Sequence, residues 1–100
     1  MYKSIIDIRK DVPGDVLKLL VAKADKAFNN RAGKVQNMSN SSYRLSYEGR
    51  ESQFGCLELG MLALEKESDF LSYVSAWKWI DEEEPEESCD ILAVINEAVR

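Results

Sequence analysis

Residues 2–9 (Tyr-Lys-Ser-Ile-Ile-Asp-Ile-Arg) alternate, with Ser4, Ile6 and Ile8 on one face and Lys3, Asp7 and Arg9 on the other. A period of two predicts a half-buried strand, with Ile5 as its one misfit. Turn residues follow at 11–15 (Asp-Val-Pro-Gly-Asp), and Asp15 is placed to cap a helix. From Val16 the period changes to that of a helix. Val16, Leu17, Leu20, Val21, Ala24, Ala27 and Phe28 form an apolar stripe, with Lys18, Asp25 and Asn29 opposite. Lys23, Lys26 and Arg31 suit the negative end of the helix dipole, and Gly33 reads as the stop.

Residues 34–42 are polar and read as a loop or the tip of a hairpin. Tyr43, Leu45 and Tyr47 then alternate with Arg44, Ser46 and Glu48, giving a strand that stops at Gly49. The next two segments fit either period. In 54–64, a helix groups Phe54, Leu57, Met61 and Leu64, whereas a strand groups Leu57, Leu59, Met61 and Ala63. In 70–80, a helix groups Phe70, Tyr73, Val74, Trp77 and Ile80, whereas a strand groups Leu71, Tyr73, Trp77 and Trp79. A helix ending in the acids 81–84 would crowd four carboxylates at its negative end. The same acids ahead of a helix starting between Pro85 and Ser88 are favourable, so both ambiguous segments are read as strands joined by residues 65–69. Ile91, Leu92, Ile95, Ala98 and Val99 form the stripe of the last helix.

The order β-α-β-β-β-α predicts a single small α+β domain spanning 1–100, a mainly antiparallel sheet with two amphipathic helices on one face. Were 54–80 helical, the domain would instead be mostly helical with a small sheet. One hundred residues suffice for one modest core. No apolar run approaches the ~20 residues of a membrane span. Charged residues at 7–11 leave no room for a secretory signal, which predicts a cytoplasmic protein. The Asn-x-Ser matches at Asn37 and Asn40 then carry no glycosylation, and Cys56 and Cys89 are expected as buried, reduced thiols. Carboxylates upstream of Cys89 oppose any lowering of its pKa.

Charge changes the picture more than composition does. Residues 1–50 carry ten Lys/Arg and five Asp/Glu, and residues 51–100 carry three and thirteen. The acidic half is therefore no surface for nucleic acid. With no histidine, the usual general base and the commonest metal ligand are missing, and no phosphate-binding or dinucleotide motif is present. No enzymatic activity, cofactor or metal is expected. The acids 81–87 lack the order and glycine of a calcium loop, and Tyr43 and Tyr47 read as sheet packing rather than a base-stacking platform.

The candidate site is a partner-binding face made of Trp77, Trp79, Asp81, Glu82, Glu83, Glu84, Glu86 and Glu87. Carboxylates would steer a basic protein partner, and a tryptophan would anchor it. The plainer readings are a solvated loop for the acids and core packing for the tryptophans. The leading functional expectation is a small acidic interaction protein of the inhibitor, immunity, antitoxin or phage-encoded antagonist kind. One alternative is an accessory or structural subunit forming a homodimer or larger assembly; another is a carboxylate-based ligand binder or enzyme.

Overall fold

The computed structural model describes residues 1–29, 36–37 and 43–99. Its elements are β1 (Tyr2–Ile8), α1 (Gly14–Phe28), β2 (Gln36–Asn37), β3 (Arg44–Gly49), α2 (Phe54–Glu65), α3 (Ser68–Leu71), β4 (Val74–Asp81), β5 (Cys89–Asp90) and α4 (Ile91–Val99). The sheet order is β2-β3-β1-β4-β5, with every neighbouring pair antiparallel. The α+β class expected from the pattern is the one observed.

β1 is the central strand. In register, Ser4 lies between Tyr47 and Trp79, and Ile6 between Leu45 and Trp77. All six are buried and face the helices. Among the described residues Ser4 is the one buried polar residue, and its Oγ accepts a hydrogen bond from Trp77 Nε1 at 2.9 Å. A bulge in β4 shifts the register from Asp7↔Ala76 to Ile8↔Val74. The extra residue, Ser75, turns outward and donates to the Asp7 carbonyl, so Val74 and Trp77 both point inward.

The opposite face of the sheet is open and neutralises itself. Lys3 lies across from Glu48 and pairs with it at 3.4 Å, and Arg44 holds Asp7 through two bonds of 2.7 and 3.0 Å. Ile5 is half-buried there between Ser46 and Lys78. Opposite charges facing across strands stabilise each pairing modestly.

The stripe of α1 is as expected: Leu17, Leu20, Ala24 and Phe28 are buried. Asp15 does not cap it, because the helix begins at Gly14 after an extended Pro13, leaving Asp15 within the first turn. The expected stop at Gly33, Arg31, and all of the loop 34–42 except β2 lie outside the described residues. Asp25, expected on the polar side, accepts a hydrogen bond from the Tyr47 hydroxyl and so ties α1 to β3. Burial and that bond push the Tyr47 phenol far above its ordinary range.

Segment 54–64 corrects the expected strand: it is the helix α2. Leu57, Gly60 and Leu64 face inward at helical spacing, and no β-branched residue favours an extended chain. A Cβ on Gly60 would stand 2.5 Å from the Phe28 ring, so glycine sets the close approach of α2 to α1. That ring stacks in turn on Tyr47 at 4.2 Å. The strand expected at 70–80 starts later, at Val74, because 68–71 turn as α3 with Phe70 buried. Leu71 therefore shares no strand face with Trp77 and Trp79.

The last helix also starts later than expected. Pro85–Glu87 form a single 3-10 turn, Cys89–Asp90 pair with β4, and Asp90 caps α4 by accepting the Ala93 N–H. Cys89 is exposed rather than buried, and Cys56 is half-buried; neither is in a disulfide. Desolvation of the sulfur, then Asp90 and Glu65, push the Cys89 thiol up. Among the described residues no helix is long and apolar enough to cross a membrane.

The two glycines of α2, Gly55 exposed and Gly60 buried, separate packing from propensity. Gly60→Ala should lose about 1–3 kcal/mol, since the locked Phe28 ring must move. Gly55→Ala, whose Cβ meets nothing within 4 Å, should gain about 0.5–1 kcal/mol from helix propensity alone. Urea unfolding of the two variants checks this, and equal shifts would contradict the α1–α2 contact.

Candidate functional site

The acidic run leaves the sheet at Asp81, the last residue of β4. Its Oδ1 accepts the backbone N–H groups of Glu83 and Glu84, each at 3.1 Å, which turns the chain away from the strand. The Asp81 N–H donates to Ser88 Oγ at 3.0 Å, and β5 then pairs back on Lys78 and Trp79. The acids 82–87 thus sit on a loop pinned at both ends. Glu82, Glu83, Glu84, Glu86 and Glu87 are all exposed, and Asp81 is half-buried.

Two of these carboxylates reach a cation. Glu82 lies 3.4 Å from Lys3, and Glu83 lies 3.9 Å from the terminal amine of Met1. Glu82 and Glu48 together hold the Lys3 ammonium above its ordinary pKa. Among the described residues Glu84, Glu86 and Glu87 have no ion pair. No group of three or more His, Cys, Asp or Glu among those residues is arranged to hold a metal ion.

The structure separates the two tryptophans from that loop's surface. Trp77 is fully buried and Trp79 is 8% exposed, so both present their rings to the core. The exposed aromatic residue nearby is Phe54, at 40%. Its ring meets Tyr2 edge-on at 5.0 Å and Trp79 at 5.8 Å, while Tyr2 stacks on Trp79 at 5.4 Å. A three-ring patch therefore closes the end of the sheet where β1 begins and β4 ends.

Acids surround that patch. Burial raises the Tyr2 phenol pKa, and Asp81, Glu51, Glu83 and Glu84 raise it further by disfavouring a second negative charge. Asp81, Glu83 and Glu84 of the anticipated site thus come together with Tyr2, Phe54 and Glu51, which sequence reasoning did not select. The signal for Phe54 was available: residues 54–64 carry one charged residue, Glu58, so a helix there cannot bury all its apolar side chains.

A groove of about 720 Å³ lies at the other end of the sheet, lined by Asp7, Arg9, Lys10, Asp11, Tyr43 and Arg44 among others. Its arginines are committed: Arg44 to Asp7, and Arg9 to Asp11 at 3.3 Å and over the Tyr73 ring. Tyr47 is core, as expected, and its partner Tyr43 is half-buried. The chain matches no protein-family model, no curated protein and no solved structure.

The crowding of acid around Tyr2 has a direct readout. Glu51→Gln, Glu83→Gln and Glu84→Gln combined should lower the Tyr2 pKa without restoring the ordinary value, because burial is the larger cause. A carbon-13 NMR titration of the tyrosine ring measures it. An unmoved Tyr2 would mean that the acids do not surround the patch.

Proposed function

We propose that this chain is a small non-enzymatic interaction domain that binds a basic partner protein through its acidic face. The face comprises Asp81, Glu82, Glu83, Glu84, Glu86 and Glu87, with Trp79 beneath Tyr2 and Phe54 as the apolar floor beside them. Trp77 serves the reading indirectly, by holding the sheet on which the face is built. The observation that supports it most is the pinned loop, three of whose acids have no ion pair among the described residues, near an exposed aromatic ring.

Such a loop repels itself and adds nothing to the core, whereas a negative surface potential steers a positive partner and speeds encounter. An aromatic ring at the centre of a charged rim is a common anchor in protein interfaces. That Cys56 and Cys89 form no disulfide suits a reducing, cytoplasmic setting. An inhibitor, immunity protein, antitoxin or phage-encoded antagonist of a basic enzyme fits this surface.

The test starts with capture from source-cell lysate at low and high salt, which this reading expects to return a basic partner lost as salt rises. Association is then measured for the wild type and for Glu84→Lys, Glu86→Lys and Glu87→Lys combined. These positions avoid the Lys3 and terminal-amine contacts of Glu82 and Glu83. The reversal should slow association about tenfold or more at low salt, with the difference shrinking as salt is raised. An unchanged association rate would refute the acidic-face reading.

A further inference from the structure

The outer half of α2 is apolar without a partner among the described residues. Leu57, Gly60 and Leu64 supply its buried face, yet Leu59 and Leu62 are 42% and 44% exposed on the other side, with Gly55 and Ala63 also exposed. Surface helices normally carry polar residues there. Apolar side chains left in water side by side on a helix are stabilised when a partner covers them.

Charge along one edge of this row indicates what covers it. Glu51, Glu58 and Glu65 recur every seven residues, which places Glu58 and Glu65 on one side of α2 and Glu51 in the turn leading into it. The edge leads at its start to Phe54 and the acid-ringed patch. α2 itself carries Glu58 and Glu65 and no Lys or Arg, and Lys66 follows at its C-cap, so the same helix of a second copy offers this row one lysine against three carboxylates. A groove of about 400 Å³ follows the other edge, lined by Ala63 and Leu64 of α2 and by Lys23, Lys26 and Ala27 of α1. At Gly55 the surface is open, since an added Cβ would meet nothing within 4 Å.

We propose that the outer face of α2 docks an amphipathic helix of the partner protein, basic along the edge that meets Glu51, Glu58 and Glu65. Leu59 and Leu62 receive its apolar stripe, and Gly55 leaves room for a side chain of the incoming helix. This rests on the acidic-face reading and adds the structural class of what is bound.

The probe is a fluorescein-labelled peptide of about eighteen residues, leucine at helical spacing and lysine elsewhere, read by fluorescence polarisation at low salt. A scrambled peptide of the same composition keeps the charge and loses the apolar stripe. The amphipathic peptide should bind about tenfold or more tightly than the scrambled one. Gly55→Gln should weaken amphipathic binding about tenfold while leaving the melting temperature within a few degrees of wild type. Leu62→Gln serves as a second variant on the same face and should act alike.

Equal binding of the two peptides, or binding untouched by Gly55→Gln and Leu62→Gln, overturns helix docking while the acidic-face reading stands. Binding of neither peptide overturns both. A wild-type dimer in sedimentation that Gly55→Gln turns into monomer overturns the proposal in favour of a second copy on this face.

Discussion

The hydrogen bond from Trp77 to Ser4 is the contact on which the arrangement of the core depends. An indole fully removed from water requires a partner for its N–H, and Ser4 supplies one from the middle of the central strand. The same residue is small, which leaves space among Tyr47, Trp77 and Trp79 on the inward face. An alanine there would keep the space and orphan the indole; a larger apolar residue would forfeit both. The bulge at Ser75 serves the same end, because it brings Val74 inward at three residues from Trp77. Around this centre the helices settle by contact of ring on ring and ring on glycine, with Phe28 between Tyr47 and Gly60.

What the sequence revealed follows from how one-sided each element is. β1, β3 and α1 each bury one face and solvate the other, so their periods could be read directly. The strand in the Trp segment was legible through electrostatics, since acids at 81–84 oppose a helix ending there. That reasoning had no bearing on 54–64, which is apolar on all sides and so shows no period. Its assignment as a strand followed its neighbour, whereas Gly60 against Phe28 requires the tertiary fold to be known. The start of α4 was misplaced for a related reason: pairing of Cys89 and Asp90 with β4 is a long-range contact that local helix signals at Pro85 do not report.

Of the candidate site, the acids were legible and the aromatic anchor was not. Trp77 and Trp79 are large and adjacent to the acids, but they lie on the inward face of a strand. Phe54, which the helical reading of 54–64 places on the apolar stripe with Leu57 and Leu64, is instead exposed at the start of α2, where it meets Tyr2 and Trp79. The charge asymmetry between the two halves acquires a physical form in the structure. The open sheet face sets Lys3 against Glu48 and Arg44 against Asp7, whereas Glu84, Glu86 and Glu87 are held on a loop without an ion pair among the described residues. Neutrality is built where β1 pairs with its neighbours, whereas Glu84, Glu86 and Glu87 project from a loop whose geometry is fixed by Asp81 and Ser88.

The two tryptophans divide the labour: Trp77 holds the core, while Trp79 underlies the surface patch. Hydrogen exchange of the two indole N–H groups, followed by nitrogen-15 NMR, tests it most directly. Trp77 is fully buried and donates to Ser4, whereas Trp79 is 8% exposed at the edge of the three-ring patch. The Trp77 signal should exchange only through global unfolding and the Trp79 signal far faster. Rapid exchange at both, or protection of Trp79 alone, would contradict it.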